Sequence, residues 1–306
     1  MIKLKKDHNL EGIILDLRYN SGGLLTQAVA VTGLFITKGI VVSIKDETGK
    51  IQHLRDLDGT TVWDGPLVVL VNRMSASASE IVAQTLQDYG RAIIIGDDHT
   101  FGKGSYQTFT LTTTEPEQVD PQGEYKVTRG RYYTVSGKTP QLTGVLSDIT
   151  VPGILSESEV GERFAKYPLE NDHIKANFDD DLSDIPYLQR DKIRKIYKFG
   201  LQEKMDIYTP YLEKLKQNAN SRLANSHNFQ NMLKEIKKKD DSDPETMENF
   251  GQNDLQLEEA YSIMKDLIFI MEQHGLIFHQ PKDVFTLLPQ ESPPNRGHEN
   301  VKLEVE

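Results

Sequence analysis

Three serines at alternate positions are the first candidates for catalytic residues. Ser75, Ser77 and Ser79 lie between a short apolar run, Pro66–Val71, and a stretch ending at Tyr89 that has the pattern of a helix. A serine at such a strand-to-helix turn is presented beside the unpaired N–H groups that open the helix, and those groups can stabilise an oxyanion. The position therefore suits a nucleophile, although the spacing alone nominates none of the three.

The same segment has a purely structural interpretation. Ser77 and Glu80 have the spacing of a capping box, in which both side chains only satisfy backbone N–H groups at the start of a helix. Judged by spacing alone, this structural role is the more common one.

A lysine between two glycines is the second candidate. Lys103 lies in the segment Phe101-Gly-Lys-Gly-Ser105, where small neighbours let other backbone approach closely. The segment is not a Walker-type phosphate loop, because the upstream glycine of that motif is absent. Lys103 could act as a general base if burial lowered the pKa of its amine from about 10.4 towards neutrality. An exposed lysine in a turn is the alternative interpretation.

Other catalytic and metal-binding patterns are missing from the sequence. The chain has 8 histidines and no cysteine, and no histidine lies in a pattern typical of a zinc protease or a Ser-His-Asp triad. Disulfides, thiolate catalysis and cysteine-based zinc sites are excluded. We therefore expect no metal and no cofactor, and a lysine is the better candidate base for a serine nucleophile.

Composition narrows the class of protein. The 306 residues carry a net charge of -11, which argues against a general nucleic-acid binder. The longest apolar run, Pro66–Val71, is too short to span a bilayer, so we expect no integral membrane segment. The first residues are basic but lack the apolar stretch of a secretory signal peptide.

The elements that must position these residues alternate between strand and helix in the first half. Apolar runs and turn residues predict an α/β layer fold with partly parallel pairing. The predicted elements are strands at 12–18, 40–44, 51–54, 66–71 and 92–96, helices at 24–37 and 77–89, and antiparallel strands at 108–112, 125–128 and 131–135.

The second half has a helical pattern and begins near Val151–Gly153. One helix is predicted over 191–200 and on through Tyr211–Leu215, broken by Pro210, and another over 229–239. The strongest helix is predicted over 254–274, where a broad apolar stripe is expected to be core.

Three blocks of sequence, in this order, resemble one known family. They are Gly12-Ile-Ile-Leu-Asp-Leu-Arg-Tyr-Asn-Ser-Gly-Gly23, Ser75-Ala-Ser-Ala-Ser-Glu-Ile81 and Thr100-Phe-Gly-Lys-Gly-Ser-Tyr-Gln107. The family is that of the C-terminal processing peptidases or tail-specific proteases, which are Ser-Lys serine endopeptidases of peptidase family S41, subfamily A. The resemblance implies a ClpP/crotonase-like layered protease core over 1–152, a mainly helical C-terminal domain over 153–286 and a flexible tail over 287–306.

The resemblance also implies roles for single residues. Ser77, the middle serine of its run, corresponds to the nucleophile, and Lys103 corresponds to the general base. Gln107 is expected to hydrogen-bond the lysine amine and hold it towards the serine.

The same resemblance implies an oxyanion hole and a further candidate. The hole is expected from the backbone N–H of Ala78 and of a glycine, with Gly23 favoured over Gly22. Asp88 matches an aspartate sometimes assigned to a relay. It lies about 16 Å of helical rise from Ser77, which favours a structural role.

Members of this family carry an N-terminal helical region and a PDZ domain, which binds substrate C-termini by strand addition. Neither region precedes Gly12, so we expect the chain to correspond to the C-terminal half of such a protease. The family works in the bacterial periplasm, which implies a periplasmic or cell-envelope location and substrates with accessible C-termini. The sequence indicates no adaptor and no oligomeric state.

Two hypotheses follow. The first is an endopeptidase that cleaves proteins in or near their C-terminal regions. The second is an inactive truncated remnant of such a protease, or an interaction module.

Overall fold

A computed structural model of the protein describes residues 10–110, 125–238 and 254–276. The predicted tail, 287–306, and part of the strand predicted at 108–112 lie outside these ranges. Within them, none of the helices combines the length and the apolar character that a membrane span requires.

The elements of the described residues alternate between strand and helix as predicted for the first half. In chain order the strands are β1 (Ile13–Asp16), β2 (Gly39–Asp46), β3 (Ile51–Asp56), β4 (Leu67–Val71), β5 (Ile93–Gly96), β6 (Ser105–Thr110), β7 (Tyr125–Thr134) and β8 (Ile149–Thr150). The helices are α1 (Leu25–Gly33), α2 (Ala78–Asp88), α3 (Tyr187–Tyr197), α4 (Thr209–Asn225), α5 (His227–Lys237) and α6 (Leu255–Gln273), with a short 3₁₀ helix at Glu162–Phe164.

The strands form two sheets. One has the order β1-β4-β5-β8, and all of its pairs are parallel. The other has the order β3-β2-β7-β6, and all of its pairs are antiparallel. The predicted mixed α/β class, with partly parallel pairing, is therefore confirmed.

The parallel sheet buries both of its faces, which explains why β4 is apolar at every position. Leu67, Val69 and Val71 belong to a core shared with α1, α2 and the antiparallel sheet. Val68 and Leu70 belong to a second core, shared with α4, α5 and α6. Because side chains alternate along a strand, successive residues of β4 serve different cores.

The helices of the second half differ in detail from the prediction. Pro210 does not break a helix: it lies in the first turn of α4, where the N–H that proline lacks would have no partner. The apolar stripe of α6 is core, as expected, since Ile263, Leu267 and Met271 are buried. This helix contacts β1, β4 and β5. The division of the chain at residue 152 stays a prediction.

Candidate active site

Ser77 lies at a sharp turn between β4 and α2. Ser77 is the N-cap residue of α2. Its backbone has φ 57° and ψ -114°, a conformation that residues other than glycine rarely adopt. Holding a residue in such a conformation costs about 1–3 kcal/mol, and the surrounding structure must supply that energy. The turn therefore holds Ser77 in a strained geometry, a feature shared by the strand-to-helix turns that carry nucleophilic serines in α/β-hydrolases.

The three serines differ in what their hydroxyls do. Ser75 Oγ donates to Leu17 O at 2.8 Å, and Ser79 Oγ donates to Asn20 O at 3.0 Å. Both side chains are buried, whereas Ser77 is partly exposed. The two flanking serines thus fasten the turn to the loop after β1, and only the middle one is accessible to a substrate.

The capping box predicted for Ser77 and Glu80 is present. Ser77 N–H donates to Glu80 Oε2 at 2.8 Å. A serine oxygen that accepts a backbone N–H in such a box keeps its own proton, because accepting and donating use different parts of the hydroxyl. The structural and the catalytic interpretation of Ser77 are therefore compatible.

The loop Asn20–Gly23 lies against this turn. Ala76 N–H donates to Asn20 O at 3.0 Å. A Cβ placed on Gly22 would lie 2.7 Å from Ala76 O and 2.7 Å from Ser77 Cβ, so only glycine fits there. Gly22 also has φ 107°, which favours glycine for a second reason.

The N–H groups expected to form the oxyanion hole differ in availability. Gly22 N–H donates to Asn20 Oδ1 at 2.9 Å and is therefore occupied. Among the described residues, neither Gly23 N–H nor Ala78 N–H has a hydrogen-bond acceptor. The preference for Gly23 over Gly22 thus has a physical basis in the hydrogen bond to Asn20.

Lys103 follows β5 and is only partly exposed. Its Nζ donates to Gln107 Oε1 at 2.8 Å, and Gln107 Nε2 donates to Ser105 Oγ at 3.0 Å. The second bond holds the other end of the Gln107 amide. Burial lowers the pKa of Lys103, and the positive charge of Lys126 lowers it further, against the opposing effect of nearby carboxylates.

Glu80 connects the serine segment to the lysine segment. Its Oε2 accepts both Ser77 N–H, at 2.8 Å, and Lys103 N–H, at 2.9 Å. Its Oε1 accepts Thr100 Oγ1–H at 2.5 Å and Gly102 N–H at 2.7 Å. Burial raises the pKa of Glu80 to about 7, although these four hydrogen bonds favour its charged form. The two candidate catalytic residues are therefore held by a single carboxylate oxygen.

Tyr132 in β7 makes a second connection between the same segments. Its hydroxyl lies 3.2 Å from Ser77 O and also contacts Lys103 O. The sequence contains a local signal for Glu80, the capping-box spacing, but that signal indicates only a helix cap. No local signal identifies Tyr132, because its contacts are to residues far away in the chain.

Asp88 lies elsewhere. Its carboxylate accepts hydrogen bonds from the Ser136 hydroxyl at 2.6 Å, from Gln84 Nε2 at 3.1 Å and from the Thr134 hydroxyl. None of its hydrogen bonds within the described residues reaches Ser77 or Lys103. The contacts of Asp88 thus tie α2 to β7 and the turn that follows it.

The comparisons with known proteins agree with the resemblance. Residues 1–151 match the model of peptidase family S41. The chain is 45% identical over 163 residues to a tail-specific protease of Haemophilus influenzae, a match covering 53% of this chain and 23% of that protein. It is 42% identical over 153 residues to a carboxy-terminal-processing protease of Bartonella bacilliformis, covering 50% of this chain and 33% of that protein. The resemblance to the C-terminal processing peptidases is thereby confirmed.

A solved structure, the photosystem II D1 C-terminal processing protease, is 37% identical with a TM-score of 0.42, covering 49% of this chain and 36% of that one. The chain spans about a quarter to a third of the length of the two curated relatives described above.

Proposed function

We propose that this chain, whose first half matches peptidase family S41, carries the active site of a serine endopeptidase with a Ser77–Lys103 dyad. The observation that carries the proposal is the shared Glu80 oxygen, which accepts the N–H groups of both residues. It keeps the two backbones together across 26 positions of sequence (103 minus 77). The lowered pKa of Lys103 supports the role of base, because a base must be neutral to accept a proton.

The proposed reaction uses these groups in two stages, acylation of Ser77 and hydrolysis of the acyl-serine ester. Neutral Lys103 takes the hydroxyl proton of Ser77 as Oγ attacks the carbonyl carbon of a peptide bond. The resulting oxyanion is stabilised by the N–H groups of Gly23 and Ala78. Lys103 then returns the proton to the leaving amine, and the acyl group stays on Ser77. Water, deprotonated by Lys103, attacks the ester carbonyl. Lys103 then returns that proton to Ser77 Oγ as the bond between the acyl carbon and Oγ breaks, which releases the new carboxyl group and restores the serine hydroxyl.

The finer features of the proposal rest on the family resemblance. We propose that the two sheets and their helices form a ClpP/crotonase-like core and that the substrates are proteins cleaved in or near their C-terminal regions. By the same resemblance we propose a periplasmic or cell-envelope location. The mechanism needs no cofactor, since each step uses only the serine, the lysine, backbone N–H groups and water.

The test measures cleavage of an unstructured protein that ends in apolar residues. We expect at most weak cleavage by the unaltered chain, and Ser77→Ala, Lys103→Ala and Lys103→Arg to fall to one common lower rate, because residues that act as a unit are not additive. Arginine cannot replace the lysine, since its guanidinium remains protonated at any ordinary pH. Lys50→Arg, at an exposed position in the β2–β3 turn, is the matched control and should keep full activity.

Two results would contradict the proposal. Turnover near that of the unaltered chain in Lys103→Arg would show that the lysine is not the base. Equal rates for the unaltered chain and Ser77→Ala would show that the chain is not a peptidase, and would favour the alternative of an inactive interaction module.

A further inference from the structure

Arg18 lies near the start of the loop that contains Gly23, and its guanidinium is hydrogen-bonded on two sides. Arg18 Nε and Nη2 donate to the Asp16 carboxylate, with Nη2 to Oδ2 at 2.7 Å. On its other side, Nη1 and Nη2 donate to the two oxygens of Asp254 at 2.8 and 2.6 Å, and Nη1 also reaches Gln256 Oε1 at 3.2 Å. Only 10% of the Arg18 side chain is exposed, whereas 44% of the Asp254 side chain is. The guanidinium of this bidentate pair is therefore largely shielded from water, and the carboxylate is not.

The two partners on the far side belong to α6, more than 230 residues away along the chain. Asp254 is the N-cap of α6 and accepts Leu257 N–H at 3.0 Å. Its carboxylate therefore performs two tasks, capping the helix and holding Arg18. Hydrogen bonding to Arg18 is the main cause of the lowered pKa of Asp254.

Gln256 connects the same helix to the turn that carries Ser77. Its Nε2 donates to Val151 O at 2.7 Å and to Asp97 Oδ1 at 3.2 Å. Asp97 is buried, and its Oδ2 accepts Arg73 N–H at 3.0 Å. Arg73 lies four residues before Ser77. The first turn of α6 thus reaches both segments that form the candidate site, one through Arg18 and the other through Asp97.

We propose that Asp254 and Gln256 are positioning residues, through which α6 holds the oxyanion loop, 17–23, and the Ser77 turn in register with each other. The proposal rests on the proposed peptidase function for its catalytic consequence, but its structural part concerns the loop alone. The apolar stripe of α6 can keep the helix on the sheet without Asp254, because Ile263, Leu267 and Met271 are buried independently of it. The ion pair between Arg18 and Asp254 is therefore not needed for the packing of α6 on the sheet.

A matched pair of variants tests the proposal. Asp254→Asn removes the charge that holds Arg18 but keeps an oxygen able to cap the helix. Asp266→Asn is the control: Asp266 lies on the same helix and pairs with an arginine at 2.6 Å, but that partner is Arg222 in α4. Asp254→Ser, which also retains a capping oxygen, provides a second variant should the first fail to fold.

The first measurement is amide hydrogen exchange in the full chain. We expect Asp254→Asn to accelerate exchange in the segment 17–24 by about tenfold or more, and Asp266→Asn to leave that segment unchanged, with similar unfolding temperatures for both variants. The second measurement is steady-state cleavage. We expect kcat to fall several-fold with KM nearly constant in Asp254→Asn only, since the loop carries an oxyanion donor.

Exchange in segment 17–24 that is the same in Asp254→Asn and Asp266→Asn would overturn the proposal. The exchange result does not depend on cleavage. Faster exchange of the loop in Asp254→Asn, together with an unaltered chain that cleaves nothing, would support the positioning role and refute the peptidase function.

Discussion

Gly22→Ala is the substitution with the sharpest expected effect on the candidate site. The new Cβ would lie 2.7 Å from Ala76 O, 2.7 Å from Ser77 Cβ and 3.0 Å from Ala78 N. All three are backbone atoms or a β-carbon, so no flexible side chain can move aside. The loop or the serine turn must shift instead.

The expected loss of stability in Gly22→Ala has two parts. Gly22 has φ 107°, and placing alanine at such a φ costs about 1–2 kcal/mol. Overpacking of a filled site adds about 1–3 kcal/mol, so we expect a loss of about 2–5 kcal/mol in the free energy of unfolding. Relief of the contact moves Gly23 N–H away from the oxyanion. Loss of one such donor lowers kcat about 10²- to 10³-fold.

Two glycines serve as controls because each isolates one part of the effect. Gly49 has φ 82° with open space around its Cβ position, in the turn between β2 and β3. Gly49→Ala should therefore lose about 1–2 kcal/mol of stability and no activity. Gly23 is beside the site but has open space and no positive φ, and alanine keeps its N–H. Gly23→Ala should retain most of the activity.

The assay combines urea unfolding with steady-state cleavage of the unstructured substrate. The reasoning is refuted if Gly22→Ala keeps kcat within about threefold of the unaltered chain, a difference of less than about 1 kcal/mol in transition-state stabilisation. It is also refuted if Gly49→Ala is as inactive as Gly22→Ala.

Three further predictions concern the dyad and the groups that hold it. Burial lowers the pKa of Lys103, and the proposed base is its neutral form. We therefore expect kcat/KM to rise with pH through a pKa below the ordinary value for lysine, as a pH–rate profile would show. Gln107→Ala should lose less activity than Lys103→Ala, since Gln107 only orients the amine, and a profile displaced along the pH axis would distinguish orientation from simple instability. Ser77→Gly should be inactive yet about 1–3 kcal/mol more stable to urea than Ser77→Ala, because glycine relieves the strained φ of 57°, and equal stability would contradict the strain.

The candidate site was only partly predictable from the sequence. The strand-to-helix turn could be located because β4 is apolar at every position and a capping-box pattern follows it. Which of its three serines is accessible could not, since the answer depends on Leu17 O and Asn20 O, which accept the other two hydroxyls. Periodicity likewise identified the buried stripe of α6 but not the strands that it covers.

The amino-acid sequence by itself determined the order of strands and helices as far as β5, the apolar character of β4 and β5, and the strand-to-helix turn on which Ser77 lies. These features depend on residue types close together in the chain. Only the tertiary structure decided that Glu80 accepts N–H groups from both Ser77 and Lys103, that Asp88 is bound by hydroxyls of β7 and the turn after it, and that the first turn of α6 reaches Arg18. The physical reason is that hydrogen bonds are short and directional. The hydrogen-bond partner of a group therefore depends on which distant residues the backbone brings close to it. The local sequence pattern does not contain that information.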